Sequence, residues 1–275
     1  MPASRQGSPV VSIVVPVFEP HPVYFRQAIE SVLDQSFSDL ELIIVEDPSD
    51  SSGRDLLDGL NDPRMRHIVN PERTSLSRQH NRGLSEARGA FICRFDADDI
   101  CAPDRVEREL EFLRANPDVD VVGSSLTIID ESSRVVGERR YPVDHASIVA
   151  ALRRYNPMAN STVMFRREVY ERFGGWRDSA LPAQDYEWYS RLAKNGARFA
   201  NLPLPLVRYR LHPGSIKSSR LRGTIQTTLE VKTMYWKRDM DVVSRVNMAA
   251  ERLLLWLPAP FVMRLFTAIR YGRRQ

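Results

Sequence analysis

The chain has 275 residues, 43% hydrophobic and 27% charged, with a formal net charge of +4 at pH 7. That leaves room for one large or two small domains, and the charge is too modest to argue for a nucleic-acid partner. Two cysteines, Cys93 and Cys101, match no zinc spacing and build no disulfide framework, and no run of about 18 apolar residues is present to span a bilayer.

The start, Met1 to Pro9, is polar and lacks the apolar core of a signal peptide, so a reducing, cytoplasmic location is expected. Val10 to Val15 is a β-branched run of the buried, parallel-sheet type, stopped by Pro16. Pro22 opens a helix with Phe25, Ile29, Val32 and Leu33 on one face. Leu40 to Val45 is a second strand, followed by a Ser/Asp/Gly/Pro loop and a short helix around Asp55 to Leu60. Met65 to Val69 is a third strand, Leu76 to Ala87 a helix closed by Arg88-Gly89, and Ala90 to Phe95 a fourth strand.

This β-α alternation implies a parallel sheet covered by helices. Three polar strand ends, at Pro16-Val17-Phe18-Glu19, Glu46-Asp47 and Asp96-Ala97-Asp98-Asp99, should share one edge, where such sheets bind ligands. No Gly-x-Gly-x-x-Gly follows the first strand and no Gly-Lys-Ser/Thr occurs, which argues against a dinucleotide fold or a P-loop. The three carboxylates of Asp96, Asp98 and Asp99 repel one another unless a cation or a set of donors compensates them. A hard divalent ion shared with a diphosphate would do so; an acidic turn capping the next helix is the other reading.

Pro103 to Ala115 is a helix, with Val106, Leu110 and Leu113 in register. Val119 to Gly123 is a strand, and Ser124 to Tyr141 a hairpin turning near residues 131–134. A helix at His145 to Tyr155, a strand at Ser161 to Phe165 and a helix at Arg167 to Phe173 follow. Asp178 to Gln184 is a loop, Asp185 to Asn195 a helix, Phe199 to Leu202 and Leu206 to Leu211 short strands, and His212 to Ser215 a turn. From Leu221 the chain is helical in character. Phe261 to Arg274 is basic and amphipathic, suited either to an anionic membrane surface or to packing on the domain with its arginines in water.

Several ordered segments carry a resemblance: Val11 to Phe18, Glu41 to Asp47, Leu76-Ser77 with Asn81-Arg82-Gly83-Leu84, Asp96 to Ile100, Pro103-Asp104-Arg105, Gln184 to Glu187 and Arg208 to His212. Each is weak alone; in this order and spacing the chain resembles a family 2 glycosyltransferase, an inverting enzyme of GT-A fold, over about residues 10–218. The resemblance implies an α/β architecture with a mostly parallel central sheet flanked by helices. Its Rossmann-like nucleotide-binding half would be about 10–123, its acceptor half about 124–218, and 219–275 a helical C-terminal extension.

It further implies a nucleoside-diphosphate sugar as donor, UDP- or dTDP-linked, Mg²⁺ or Mn²⁺ as cofactor, and a glycan or lipid-linked acceptor. Asp185 would be the general base, on a helix start whose dipole holds it ionised; simple N-capping is its alternative. Asp47 and Phe18 would bind the base, Pro16 would shape the loop around it, Asp96 would sit near the ribose and Arg78 near the base or diphosphate. Asp98 would be the main metal ligand, with Asp99 and His212 as further candidates; Asp99 could equally cap a helix or bond to backbone. Trp176 and residues 156–160 are candidates for the acceptor side, and Arg208 and Arg210 share a strand face toward phosphate or water.

Five departures from the family pattern stand out: Glu46 for Asp, Pro48 for Gly, His80 for Arg, Asn160 for His and Gln184 for Glu. None removes a catalytic carboxylate. A sugar-nucleotide pyrophosphorylase would need a Gly-rich basic loop after the first strand, and a phosphatase a hydroxyl residue soon after its Asp; neither is here. A non-catalytic sugar-nucleotide-binding scaffold remains the competing class, and it is disfavoured by the presence of both Asp98 and Asp185.

Overall fold

The computed structural model describes residues 7–212 and 221–257. Its core is a nine-stranded sheet in the order β3 (Met65–Val69), β2 (Leu40–Glu46), β1 (Val11–Val17), β4 (Phe91–Arg94), β8 (Met164–Arg166), β6 (Val121–Ile129), β9 (Phe199–Arg210), β5 (Ile100–Cys101), with β7 (Val135–Arg139) added to β6. The first half is parallel: β1 (Val11–Val17) lies between β2 (Leu40–Glu46) and β4 (Phe91–Arg94), and β3 (Met65–Val69) flanks β2.

Alternation along β1 builds two cores. Ile13, Val15 and Val17 point to the face covered by α1 (Pro22–Leu33) and α4 (Arg105–Ala115). Val14 points to the face covered by α3 (Leu76–Glu86) and α7 (Gln184–Lys194). Helix α1 exists because Tyr24, Phe25, Ala28, Ile29 and Val32 repeat at helical spacing behind Pro22. Helix α3 is capped by Ser75, which accepts from the Arg78 amide at 3.1 Å. It lies so close to the sheet that a Cβ at Gly83 would collide with Val14, so Gly83 belongs to packing rather than to ligand binding. Asn81 likewise builds structure: it bonds both the carbonyl (2.8 Å) and the amide (2.9 Å) of Trp176.

In the second half the sheet is mixed. β8 (Met164–Arg166) runs antiparallel to β4 and β6, while β6 (Val121–Ile129) is parallel to β9 (Phe199–Arg210). Five details differ from the sequence reading. The two strands expected at 199–202 and 206–211 are one strand, β9, whose register with β6 shifts around Ser124 and Ser125, opposite Leu202 and Pro205. The strand expected at 119–123 and the first arm of the hairpin expected from Ser124 are one strand, β6, whose far end pairs with β7 (Val135–Arg139), and Asp130 ties the turn by accepting from the Ser132 and Arg134 amides. Residues 160–162 form a 3-10 turn before β8, and Ile100–Cys101 form a two-residue strand, β5, paired with β9. Helix α2 (Gly53–Leu56) starts earlier than expected because Ser52 caps it.

Between these elements lie α5 (His145–Leu152) and α6 (Arg167–Phe173). Two C-terminal helices, α8 (Leu221–Tyr235) and α9 (Val242–Leu254), close the described chain. Helix α8 and the turn after it are bolted to α7: Tyr235 donates to Glu187 at 2.6 Å and Trp236 to Ser190 at 3.0 Å. Among the described residues no helix is long and apolar enough to cross a membrane. The turn expected at 213–215 and the amphipathic helix expected at 261–274 lie outside them.

Candidate active site

The acidic stretch follows β4 directly, and each carboxylate is compensated differently. Asp96 forms an ion pair with Arg94 and accepts from Ser161 Oγ at 3.1 Å. Asp99 is fully buried, accepting from Ser161 Oγ and from the Arg210 amide at 2.9 Å. Burial, and then the charges of Asp98 and Asp96, push its carboxyl well above the usual range. This is the backbone-bonding alternative raised for Asp99, and it leaves the residue poorly placed as a metal ligand. Asp98 is the outward one, with 37% of its side chain exposed, and it meets His212 Nε2 at 2.9 Å. The hydrogen bond to Asp98 raises the His212 pKa.

Beneath this turn lies Arg210, which does not face phosphate. Its guanidinium donates to the Asp98 carbonyl (2.9 Å), Ser133 Oγ (2.9 Å) and Gln27 Oε1 (2.8 Å), and lies over the Tyr24 ring at 4.2 Å. Arg208 also turns inward, to the Ser133 carbonyl at 2.7 Å.

At the end of β2, Asp47 is 1% exposed and accepts from Asn70 Nδ2 (2.7 Å), the Thr74 amide (2.7 Å) and Thr74 Oγ1 (3.0 Å). A base can reach it only if segment 70–74 moves. Glu46, which could have bound nucleotide, is engaged internally, with the Gly53 amide at 2.6 Å and His67 Nε2 at 2.6 Å. Phe18 is half-buried, with the Arg73 guanidinium 3.9 Å over its ring. Pro16 is not in a loop: it is buried within β1, opposite Val45. Arg78 is exposed and paired with Asp178 at 2.7 Å.

Asp185 stands in the first turn of α7, two residues past its N-cap, Ala183. It is half-buried and accepts from Asn156 Nδ2 at 3.0 Å. Its carboxylate also accepts from the Tyr186 amide at 2.8 Å, so it satisfies one free amide of the helix start from within the first turn, where the helix dipole favours negative charge. Trp176, a candidate for the acceptor side, is instead core: 3% exposed, stacked between His80 at 4.7 Å and Trp188 at 4.6 Å.

The residue that joins the halves is Arg94, which sequence reasoning missed. Besides Asp96, it donates to His80 Nε2 at 3.3 Å. With the Asn160 amide turned so that its oxygen faces Arg94, that oxygen accepts at 3.1 and 3.2 Å while its nitrogen donates to Tyr189 Oη at 3.0 Å. Arg94 is buried within electrostatic range of both Asp96 and Asp185. Burial, and then the Arg94 charge, hold His80 neutral by pushing its pKa well down. The available signal was a lone arginine inside the apolar run Phe91 to Phe95.

Among the described residues no group of three or more His, Cys, Asp or Glu side chains is arranged around one point as a complete metal cage. Asp98 and His212 nonetheless supply two adjacent, partly exposed donors. That donor set suits a hard divalent ion.

Residues 12–174 match the model of Glycosyl transferase family 2. The O-antigen biosynthesis glycosyltransferase WbnJ of Escherichia coli is 28% identical over 216 residues, covering 77% of this chain and 84% of that protein. Among solved structures, the mannosyltransferase PcManGT from Pyrobaculum calidifontis, in complex with GDP-Man and Mn²⁺, superposes with a TM-score of 0.62 at 18% identity, over 96% of this chain and 74% of that one. S. aureus TarS 1-349 in complex with UDP-GlcNAc gives a TM-score of 0.66 at 16% identity, over 94% and 72%.

Proposed function

Because the chain belongs to glycosyl transferase family 2 and is a glycosyltransferase of GT-A fold, we propose that it moves a sugar from a nucleoside-diphosphate donor to an acceptor hydroxyl, with inversion. The observation that carries this reading is the acid cluster after β4: Asp96 and Asp185 both lie within electrostatic range of buried Arg94, while Asp96 and the His212-paired Asp98 both act on buried Asp99. A UDP- or dTDP-sugar is the donor class, since Asp47 accepts the imide N–H of such a base once segment 70–74 opens. Phe18 stacks on the base, in place of the Arg73 guanidinium. Asp96 accepts from the ribose. Pro16 and Arg78 act only indirectly, through the β1 frame and the Asp178 contact.

Asp98 and His212 would hold Mg²⁺ or Mn²⁺, and such an ion would supply charge neutralisation for the departing diphosphate. Asp185 takes the proton from the acceptor hydroxyl as its oxygen attacks the anomeric carbon opposite the leaving group. Asn156 keeps the Asp185 carboxylate aimed at that oxygen.

The acceptor is a glycan or lipid-linked glycan of a surface polysaccharide, in line with the O-antigen biosynthesis relative. Residues 1–218 form the catalytic unit and 219–275 a C-terminal extension that carries α8 and α9. The protein works in the cytoplasm at the inner face of the membrane, with segment 261–274 touching that surface. No nucleic acid takes part.

The test is turnover of a panel of nucleotide sugars with Mn²⁺. Asp185→Asn should lower kcat by about 10²–10⁴-fold while donor binding, read by thermal shift, stays intact. Tight donor binding with neither transfer nor hydrolysis, for any sugar, would instead identify a scaffold.

A further inference from the structure

Helix α9 has two unlike faces. The inner one is fixed to α8: Lys232, fully buried, donates to Glu251 (2.6 Å) and Asn247 (3.0 Å), and Met248, Leu254 and Leu255 pack on Leu221, Ile225 and Leu229. Among the described residues nothing packs on the outer face. Val242, Val246, Leu253 and Trp256, at helical spacing, are 76%, 62%, 67% and 87% exposed, and Val243 is 58% exposed. Ala249 and Ala250 fill the gaps, and Arg245 and Arg252 border the stripe, also exposed. From Val242 to Leu257 no acid lies on this face; Glu251 is turned inward. The stripe runs about 20 Å, by the helical rise. Single exposed apolar side chains are ordinary, but a continuous stripe ending in a tryptophan marks an interaction surface.

We propose that the outer face of α9 lies in the surface of an anionic lipid bilayer. Charge selects this occupant. Residues 221–275 carry ten Lys and Arg against four Asp and Glu, whereas the other 220 residues carry 29 against 31. The whole positive excess of the protein is therefore in the part that bears the stripe. A second copy of the chain would bring one arginine border against another with no acid between them. An apolar stripe with arginines at its edge and tryptophan at its end is the pattern of a helix lying in the lipid interface, where long cationic side chains reach the headgroups. Because Tyr235 and Trp236 tie this end of the molecule to α7, the bilayer contact fixes the orientation of the helix that carries Asp185. This deepens the proposed membrane reading of segment 261–274 by adding a second contact, on α9.

The other tryptophans, Trp176, Trp188 and Trp236, are 3%, 0% and 2% exposed, so Trp256 alone reports contact with lipid. The full chain is titrated with phosphatidylglycerol/phosphatidylcholine vesicles and with phosphatidylcholine vesicles, following tryptophan emission and co-sedimentation. A blue shift and binding on the anionic vesicles are expected, with at least about tenfold weaker partitioning for Leu253→Glu/Trp256→Glu. Both sites are exposed, so that variant should keep the wild-type melting curve and the wild-type thermal shift with a nucleotide sugar; the outcome is thus read independently of the catalytic reading. Deleting 261–275 should weaken binding but leave the blue shift. The proposal is overturned by no shift on anionic vesicles. It is equally overturned by vesicle binding that survives Leu253→Glu/Trp256→Glu yet vanishes with the deletion, or by a lipid-free blue shift that tracks dimer formation in sedimentation.

Discussion

Arg94 shows how one buried side chain organises the acid cluster. Three carboxylates within four positions are unfavourable together, and the chain answers with three separate devices: a guanidinium on Asp96, an imidazole on Asp98, and burial with hydroxyl and amide donors on Asp99. Arg94→Met removes the first and also the donors of Asn160. Breaking a buried pair from one side costs about 3–5 kcal/mol; because Asp96 is 30% exposed, about 2 kcal/mol is expected. Donor KM should rise more than kcat falls, since Asp96 is the residue proposed at the ribose. Arg94→Lys keeps the charge but loses the planar fork and should recover stability more than KM. Urea unfolding and donor saturation curves measure the two effects separately. Equal loss of KM and kcat in both variants would mean a merely structural role.

At the scale of elements, the order of strands and helices was legible because β-branched runs and helical spacing each have one natural reading. The boundaries missed have local causes. Pro203 and Pro205 punctuate β9 and suggest a break, yet the strand continues because the sheet absorbs them as register shifts. The two-residue β5 carries no periodicity at all. At the site, the carboxylates could be found by type, but not sorted: whether Asp98 or Asp99 faces outward depends on β9, more than a hundred residues away. Trp176 was ambiguous for the same reason, since an aromatic residue serves a core as readily as a sugar. Helix α8 offers a direct test of how the C-terminal pair is held. Lys232→Met leaves Glu251 without its partner, and because Glu251 is 22% exposed the loss should be near 2 kcal/mol, below the fully buried case. Limited proteolysis should then cut within 236–257 first, while donor binding persists. Loss of donor binding at the same protease dose would show that α8 and α9 are integral to the catalytic half.

The molecule as a whole is closed by Arg210, the last residue of β9. Its guanidinium reaches Gln27 on α1, Ser133 in the β6–β7 turn and the carbonyl of Asp98, while its amide holds Asp99. The acidic turn is therefore set only when the far end of the sheet has docked against the near end, which makes the site a product of the complete fold rather than of the β4 loop. Arg210→Leu keeps the amide and the strand but strips the guanidinium from these three acceptors. Hydrogen bonds to charged groups are worth about 1.5–3 kcal/mol each, and the effects overlap, so a total near 3 kcal/mol is expected. Because the Asp98 carbonyl loses its anchor, the Asp98–His212 pair should spread, and the thermal shift produced by UDP with Mn²⁺ should shrink at least as much as the stability falls. Gln27→Leu severs one of the three contacts and should lose under half as much. An Arg210→Leu protein that unfolds early yet keeps the full UDP and Mn²⁺ shift would place the donor site elsewhere than over this turn.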